Sequence, residues 1–119
     1  MKTILLIDDD PDHVEITIFI LTRSNYNVLV AQSAEEGLAL LQNNTPDLIL
    51  LDILLPNLQG DEFCKQLKAE PQFKNIPIIL WTASTSDIDL RIKDTNADDF
   101  LRKPFDADEL LKKIKKFID

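Results

Sequence analysis

The stretch that decides the fold is DLILLDILLP at residues 47–56, an apolar run that is interrupted by the carboxylate of Asp52. Pro56 follows four residues after this carboxylate, and Gly60 follows eight residues after it. A short apolar run bounded by turn residues is typical of a strand that is buried on both faces, as in parallel sheets. We therefore expect Asp52 where this strand leaves the sheet, at the edge where ligands bind in open α/β sheets.

Strand-like and helix-like segments alternate along the whole chain. The predicted strands are residues 2–7, 26–31, 48–52, 78–82 and 99–102, and the predicted helices are residues 11–23, 33–42, 60–69, 86–94 and a last helix that follows residue 106. Three helix starts carry capping signals, namely Asp10 before Pro11, Ser33 with Glu36, and Asp106 with Glu109. This alternation implies one α/β domain over residues 1–119, with a parallel sheet covered by helices on both faces.

The composition is that of an ordinary globular domain, with 45% hydrophobic and 29% charged residues. No apolar run approaches the roughly 20 residues that span a bilayer, and no signal segment opens the chain, so we expect a cytoplasmic protein that does not bind membranes. The net charge of −8 disfavours direct binding to nucleic acid and suits a site for a divalent cation. The single cysteine, Cys64, can form no intrachain disulfide and is expected to be a small core or boundary residue.

Three carboxylates, those of Asp8, Asp9 and Asp52, end two of the predicted strands. If these strands are neighbours, the acids repel one another, and a hard divalent cation relieves the repulsion. Mg²⁺ accepts a few carboxylate oxygens and keeps several waters, so the three acids predict a magnesium site. The alternative is that Asp8 and Asp9 are only turn residues. Asp10 is expected to cap the first helix and not to bind the cation.

Two more strand ends carry groups that would suit an anion at the same edge. The hydroxyl of Thr82 ends the fourth strand and the ammonium of Lys103 follows the fifth, although each alone fits an ordinary strand threonine or a solvated lysine. With the three acids they predict a phosphoryl-transfer site. The cation and Lys103 would neutralise phosphoryl oxygens, Thr82 would donate a hydrogen bond, and Asp52 would be the nucleophile. A carboxylate nucleophile gives an acyl phosphate, which is reactive and therefore transient.

With these motifs, the chain resembles a receiver domain of the bacterial two-component response regulators, and in particular a chemotaxis regulator. The matching segments are Ile7-Asp8-Asp9, DILLP at residues 52–56 with Gly60, Thr82-Ala83, and ADDFLRKPF at residues 97–105. The resemblance implies a flavodoxin-like sheet of five parallel strands in the order 2-1-3-4-5. It also implies a phosphorylation-activated signalling switch, not an enzyme, that promotes its own phosphorylation and dephosphorylation and changes its partner-binding surface.

Four matched residues resemble the magnesium and phosphoacceptor positions of the family. Asp52 resembles the phosphoacceptor and a magnesium ligand, and Asp8 and Asp9 resemble the acids that bind Mg²⁺. The backbone carbonyl of Leu54 would be a further ligand. Leu54 is also a large apolar residue beside the path that an attacking water takes in the family, which implies slow hydrolysis of the phosphoaspartate.

Three other matched residues resemble positions that respond to the phosphoryl group. Lys103 resembles the lysine that pairs with it, and Thr82 resembles the hydroxyl residue that moves toward it. Phe100 resembles the aromatic switch residue that turns inward at the same time, the alternative being a plain core aromatic. Asn96 departs from the family, which commonly has glycine there. Because asparagine tolerates left-handed backbone, we expect the turn to persist.

The resemblance implies protein partners: a histidine kinase or histidine phosphotransfer protein as phosphodonor, and a downstream target protein. The first helix carries more apolar residues than one buried stripe requires, so some of them must be exposed. The resemblance implies that this face docks the donor, the alternative being a wide stripe with a frayed rim. The lysines of the last helix form a solvated face, or they pair with acids of the fourth helix and fifth strand in a homodimer.

His13 is expected to be a surface residue. We expect either a stand-alone regulator or a segment of a longer protein.

Other classes of protein share parts of this pattern. A phosphatase of the haloacid dehalogenase type also forms an aspartyl phosphate, but Asp12 stands where its motif has threonine or valine, and the chain is too short for that fold. A nucleotide-binding module is disfavoured because the only glycines, Gly37 and Gly60, form no phosphate-binding loop. A degenerate receiver that acts as a phosphorylation-independent adaptor is disfavoured because the acids, the hydroxyl and the lysine are all present.

Overall fold

A computed structural model describes residues 1–55, 58–83, 95–103 and 105–118, and only the backbone of residues 82, 83 and 103. The strands are β1 (Thr3–Ile7), β2 (Asn27–Ala31), β3 (Leu48–Asp52), β4 (Ile78–Ala83) and β5 (Asp99–Lys103). The helices are α1 (Pro11–Arg23), α2 (Ala34–Asn43), α3 (Gly60–Ala69) and α4 (Ala107–Ile118). The helix predicted at residues 86–94 lies outside the described residues. Within the described ranges, no helix is both long and apolar enough to cross a membrane.

The predicted bounds of α1, β3 and α3 and the predicted start of α4 are confirmed. The bounds of β1, β2, β4 and β5 each differ by one residue at one end, and those of α2 differ by one residue at both ends. Side-chain oxygens of Asp10, Ser33 and Asp106 accept hydrogen bonds from backbone N–H groups in the first turns of α1, α2 and α4, at 2.8 to 3.4 Å. The capping role predicted for Asp10 is therefore confirmed. Asn96 has a φ of 63°, so asparagine does support the left-handed turn before β5.

The five strands form one parallel sheet in the order β2-β1-β3-β4-β5, which confirms the predicted fold class. Because all strands run in one direction, their carboxyl ends lie at one edge of the sheet. β1 and β3 are adjacent, so Asp8 and Asp52 emerge side by side. On the next strands, Asp52 is opposite Trp81 of β4, and Thr82 is opposite Arg102 of β5.

Both faces of the sheet are buried, which explains the continuous apolar runs of β1, β3 and β4. Successive residues of a strand point to opposite faces, so each strand contributes to two cores. On one side, Ile49 belongs to a cluster with Phe63 of α3. On the other side, Leu50 belongs to a cluster with Leu21 of α1 and Ile114 of α4. The helices therefore cover the sheet as two layers, as the alternation of elements predicts.

Cys64 is a core residue of α3, as predicted, and it is fully buried. Its Sγ donates to the carbonyl oxygen of Thr95 at 3.6 Å. Burial raises the pKa of the Cys64 thiol to about 12, so the group stays neutral. This cysteine is a packing residue and not a reactive thiol.

Lys68 of α3 joins three segments near the amino edge of the sheet. Its Nζ donates to the carbonyl oxygens of Lys74 at 3.1 Å and Ile76 at 2.9 Å, and it lies 2.6 Å from Oδ2 of Asp98. The same Asp98 oxygen accepts the N–H of Ile78, the first residue of β4, at 2.8 Å. The Lys68 side chain is only 8% exposed. It therefore ties α3 to the loop before β4 and to the turn before β5.

Lys68→Met is expected to lower the free energy of unfolding by about 2 kcal/mol, because methionine keeps the apolar stem but removes a charged donor from three acceptors. The control is Lys65→Met on the same helix, where the lysine is 53% exposed and 3.9 Å from Glu62. An exposed pair of this kind contributes about 0.5 kcal/mol or less. Urea denaturation of both variants measures the difference. Equal midpoints for the two variants would contradict the role given to Lys68.

Candidate functional site

Three acidic side chains meet at the carboxyl edge of the sheet. One carboxylate oxygen from each of Asp8, Asp9 and Asp52 lies within 4.8 Å of the other two. Asp8 directly follows β1, and Asp52 is the last residue of the adjacent β3, so the parallel pairing of these strands brings the acids together. The structure thus groups the three acids that the sequence places at strand ends.

Two of these carboxylates are buried and held by backbone groups. Asp8 is fully buried and Asp52 is 4% exposed, whereas Asp9 is exposed. Oδ1 of Asp8 accepts the N–H of Asp10 at 3.0 Å, and Oδ1 of Asp52 accepts the N–H of Leu54 at 3.0 Å. Clustered buried carboxylates need positive charge close by. The cluster offers three carboxylate oxygens, and solvent reaches it at the exposed Asp9. This arrangement fits a hard divalent cation such as Mg²⁺, which keeps several waters.

The segment after β3 folds closely onto the start of α3. The N–H of Gly60 donates to the carbonyl oxygen of Ile53 at 2.7 Å. A Cβ atom at Gly60 would lie 1.9 Å from the carbonyl oxygen of Asp52, so a side chain cannot be accommodated without moving the backbone. The side chain of Leu54 is 49% exposed beside the acid cluster. Glycine therefore fixes the path of the chain that carries Asp52 and Leu54.

Thr82 and Lys103 lie at the ends of β4 and β5, on the same sheet edge as the acids. Thr82 is opposite Arg102 and Ala83 is opposite Lys103 in the parallel pairing. The backbone therefore brings both residues to the edge that the sequence predicts. Their side chains lie outside the described residues, as does Pro56, and the roles predicted for them stay predictions.

Phe100, the predicted switch residue, is 39% exposed. The ammonium of Lys113 lies 5.9 Å from the centroid of its ring, and the guanidinium of Arg102 lies 6.0 Å from it. The alternative that Phe100 is a plain core aromatic is therefore wrong. Its ring stands on the surface between β5 and α4, among cations.

Two lysines of the predicted basic face on the last helix are paired within the chain. Lys113 and Lys116 of α4 each lie 3.1 Å from a carboxylate oxygen of Asp99 in β5. Burial alone would raise the pKa of Asp99, but the N–H of Phe100 and the two ammonium groups outweigh it and lower the pKa below its ordinary value. This part of the face is thus neither purely solvated nor dependent on a second chain.

The sequence interpretation did not predict that His13 lies next to the acid cluster. The predicted surface position is wrong, because the side chain is 19% exposed and its Nδ1 lies 2.5 Å from Oδ2 of Asp8. Its ring also contacts the rings of Trp81 and Phe105. His13 is the third residue of α1, and side chains at this position reach back toward the helix start, as in a capping box. That position is the signal that could have placed His13 against the strand end.

The first helix, which begins two residues after Asp9, exposes two large apolar side chains. Ile16 is 60% exposed and Phe19 is 59% exposed, with the guanidinium of Arg23 lying 5.2 Å from the centroid of the Phe19 ring. The prediction that some apolar residues of this helix are exposed is confirmed, and these residues fit either a docking surface or the frayed rim of a wide stripe. An exposed cluster of this kind is typical of a protein-binding surface.

A doubly wound sheet with an acid cluster at its carboxyl edge defines an α/β architecture in which ligands bind at this edge. The sequence matches the response regulator receiver domain family over residues 4–115, and the chain belongs to this family. It is thus a receiver domain of two-component signalling systems. The family suggested by the sequence motifs is confirmed.

Three comparisons illustrate this membership. The chain is 37% identical over 115 residues to the alkaline phosphatase synthesis transcriptional regulatory protein PhoP of Bacillus subtilis, covering 96% of this chain and 47% of that protein. It is similar to the receiver domain of a histidine kinase of Syntrophus aciditrophicus, with 31% identity, a TM-score of 0.95, and coverage of 99% of this chain and 90% of that chain. It is also similar to the receiver domain of a sensor histidine kinase of Pseudomonas aeruginosa, with 26% identity, a TM-score of 0.90, and coverage of 98% and 97%.

The comparisons differ in how much of each relative they cover. The chain spans about half the length of PhoP and of four other regulators that it matches. Because of this partial coverage, the activities and partners of the longer relatives do not transfer directly to this chain.

The receiver domain of the sensor histidine kinase of Pseudomonas aeruginosa has a magnesium ion coordinated in its active site cleft.

Proposed function

We propose that the chain is a phosphorylation-activated switch of the cytoplasm, which accepts a phosphoryl group on Asp52 from a histidine kinase or histidine phosphotransfer protein in a magnesium-dependent reaction. The observation that carries this proposal is the convergence of Asp8, Asp9 and Asp52 within 4.8 Å at the edge where β4 and β5 also end. Membership of the receiver domain family supports the signalling role.

The three acids would hold Mg²⁺, with the backbone carbonyl of Leu54 as a further ligand. Bound there, the ion supplies positive charge to the acids and to the oxygens of an incoming phosphoryl group. Two facts support this choice of metal. All three side-chain ligands are oxygens, which hard cations prefer, and the similar receiver domain of Pseudomonas aeruginosa has magnesium in its active site cleft.

The proposed reaction moves phosphorus from nitrogen to oxygen. A bond forms between an oxygen of Asp52 and phosphorus as the phosphorus–nitrogen bond of a phosphohistidine breaks. The donor imidazole leaves with the electron pair and takes up a proton from water. The hydrogen bond from Leu54 N–H restrains rotation of the Asp52 carboxylate. Lys103 would neutralise oxygens of the transferred group, and Thr82 would donate a hydrogen bond to it.

The exposed surfaces suggest where partners bind. The exposed residues Ile16 and Phe19 lie on the helix that directly follows the acids of β1, so a histidine-bearing donor that docks on this helix would bring its phosphoryl group toward Asp52. Phe100 would turn inward after phosphorylation and change the surface formed by β5 and α4, which the downstream target would read. A homodimer through this surface and the helix predicted at residues 86–94 is part of the same proposal.

The proposal is tested by intact-mass measurement after incubation with acetyl phosphate and Mg²⁺. The expected result is one added phosphoryl group, which is absent when a chelator removes the metal. Repeated turnover of a small phosphomonoester would indicate a phosphatase instead. If neither acetyl phosphate nor a phosphorylated histidine donor gives an adduct, the chain is a phosphorylation-independent adaptor, and the proposal is wrong.

Leu54→Asn is expected to accelerate loss of the phosphoryl group from Asp52. Leu54 is half-exposed beside the site, and an amide there can orient an attacking water that leucine excludes. We expect about a tenfold faster hydrolysis, equivalent to about 1.4 kcal/mol in the barrier. The decay of the phosphorylated mass after removal of the donor measures the rate, and Leu54→Met is the control that keeps the apolar bulk. Phosphate loss in the wild type that is as fast as in Leu54→Asn would disprove the idea.

A further inference from the structure

We infer that His13 is a positioning residue for the cation site, whose imidazole holds the carboxylate of Asp8 in place against Asp9 and Asp52. This inference rests on the proposed function, because it concerns the same three acids. It gives a role to the only histidine of the chain, which the proposed chemistry does not use.

The contact between His13 and Asp8 fixes one end of the carboxylate. Nδ1 of His13 lies 2.5 Å from Oδ2 of Asp8. A carboxylate oxygen can only accept a hydrogen bond, so Nδ1 carries a hydrogen and is the donor. The other oxygen, Oδ1, accepts the N–H of Asp10 at 3.0 Å. With both oxygens bonded to groups of the first turn of α1, the buried Asp8 carboxylate cannot rotate freely.

The imidazole is itself held by two aromatic rings. The ring centroid of Trp81 lies 4.5 Å from that of His13, and the centroid of Phe105 lies 5.7 Å from it, both edge to face. The two aromatic rings stack on each other with centroids 5.5 Å apart and an angle of 18° between their planes. The backbone of His13 is also fixed, because its carbonyl oxygen accepts from Oγ1 of Thr17 at 2.8 Å. His13 therefore presents its Nδ1 in one orientation.

These rings connect the parts of the chain that carry the site. Trp81 lies opposite Asp52 and directly precedes Thr82, and Phe105 follows Lys103 by two residues. Groups that orient a metal ligand from behind commonly change metal affinity, because a ligand that is already ordered loses less freedom on binding. His13 is thus expected to raise the affinity for the cation without touching it.

A purely structural role for His13 is distinguished from this one by two substitutions. His13→Leu keeps an apolar side chain against Trp81 and Phe105 but has no donor for Asp8. His13→Asn removes most of the ring but keeps an amide N–H close to the position of Nδ1. If His13 only packs, the leucine variant is the better one. If His13 positions Asp8, the asparagine variant binds the cation better, even where it is less stable.

The test measures binding of Mn²⁺, used in place of Mg²⁺, to the full chain by the electron paramagnetic resonance signal of the free ion. We expect His13→Leu to bind Mn²⁺ about tenfold more weakly than the wild type, and His13→Asn to stay within about threefold of it. Urea denaturation of each variant checks that the measured protein is folded. Competition with Mg²⁺ confirms that both ions share one site.

The possible results separate this inference from the proposal on which it rests. If the wild type binds no Mn²⁺, the proposed cation site is wrong and the inference falls with it. If the wild type binds Mn²⁺ and His13→Leu binds it equally well, only the inference is overturned. It is also overturned if His13→Asn binds as weakly as His13→Leu, because the donated hydrogen bond would then have no effect.

Discussion

Replacing Asp52 by asparagine is expected to abolish the phosphoryl adduct that forms from acetyl phosphate and Mg²⁺. The side-chain amide has no anionic oxygen to attack phosphorus, and it is a weaker ligand for the cation. We expect the rate of adduct formation to fall by more than about 10³-fold, which corresponds to about 4 kcal/mol in the barrier. Intact mass after a fixed incubation measures the loss directly.

Asp10→Asn is the matched control for this experiment. It makes the same chemical change close to the site, and asparagine is an equally good N-cap for α1. The adduct should therefore form as in the wild type. Asp52→Asn should also remain folded with an equal or higher urea midpoint, because it relieves repulsion with Asp8 and Asp9. An adduct on Asp52→Asn, or its loss in both variants, would show that another residue is the acceptor or that the site does not act as proposed.

Gly60→Ala is expected to lower the free energy of unfolding by about 3 kcal/mol or more, because the added methyl group meets backbone atoms that must move apart. Its Cβ would lie 1.9 Å from the carbonyl oxygen of Asp52 and 2.8 Å from the Cα atom of Ile53. The same movement would displace Asp52 and Leu54, so we also expect weaker cation binding. Urea denaturation measures the first effect, and Mn²⁺ titration measures the second.

Gly37→Ala, at the other glycine of the chain, is the control for Gly60→Ala. A Cβ there would lie 2.7 Å from Cδ1 of Ile7, the end of a flexible side chain that can shift. The gain of about 1 kcal/mol in helix propensity within α2 offsets that shift. We therefore expect a net change within about 1 kcal/mol for Gly37→Ala. If the two alanine variants lose equal stability, the close approach at Gly60 is not the cause.

Local signals in the sequence are sufficient to predict most of the elements. The apolar run that ends at Asp52 defines β3, and Asp10 before Pro11 defines the start of α1, because buried strands and helix caps depend on residues within a few positions. The order of the strands is different. Alternation of strands and helices implies a parallel sheet but not which strands are neighbours, so the order came from the resemblance to the receiver family.

The acid cluster was predictable because parallel strands end at one edge, so the residues that follow them must converge. The environment of His13 was not, because it depends on Trp81 and Phe105, which are distant in the sequence and meet it only in the folded chain. The same holds for Lys68, whose acceptors belong to two separate segments. The approach of Gly60 to the backbone of β3 likewise depends on how the chain turns between them.

The burial of β1, β3 and β4 on both faces constrains how the chain can reach its native state. A partly folded chain in which only α2 and α3 have docked leaves the opposite face of the sheet bare, with Leu6 and Leu50 in water. Parallel strands also pair across long stretches of sequence, which slows their assembly. An intermediate with one helical layer would therefore expose the apolar face of the sheet and be prone to aggregation until the second layer docks.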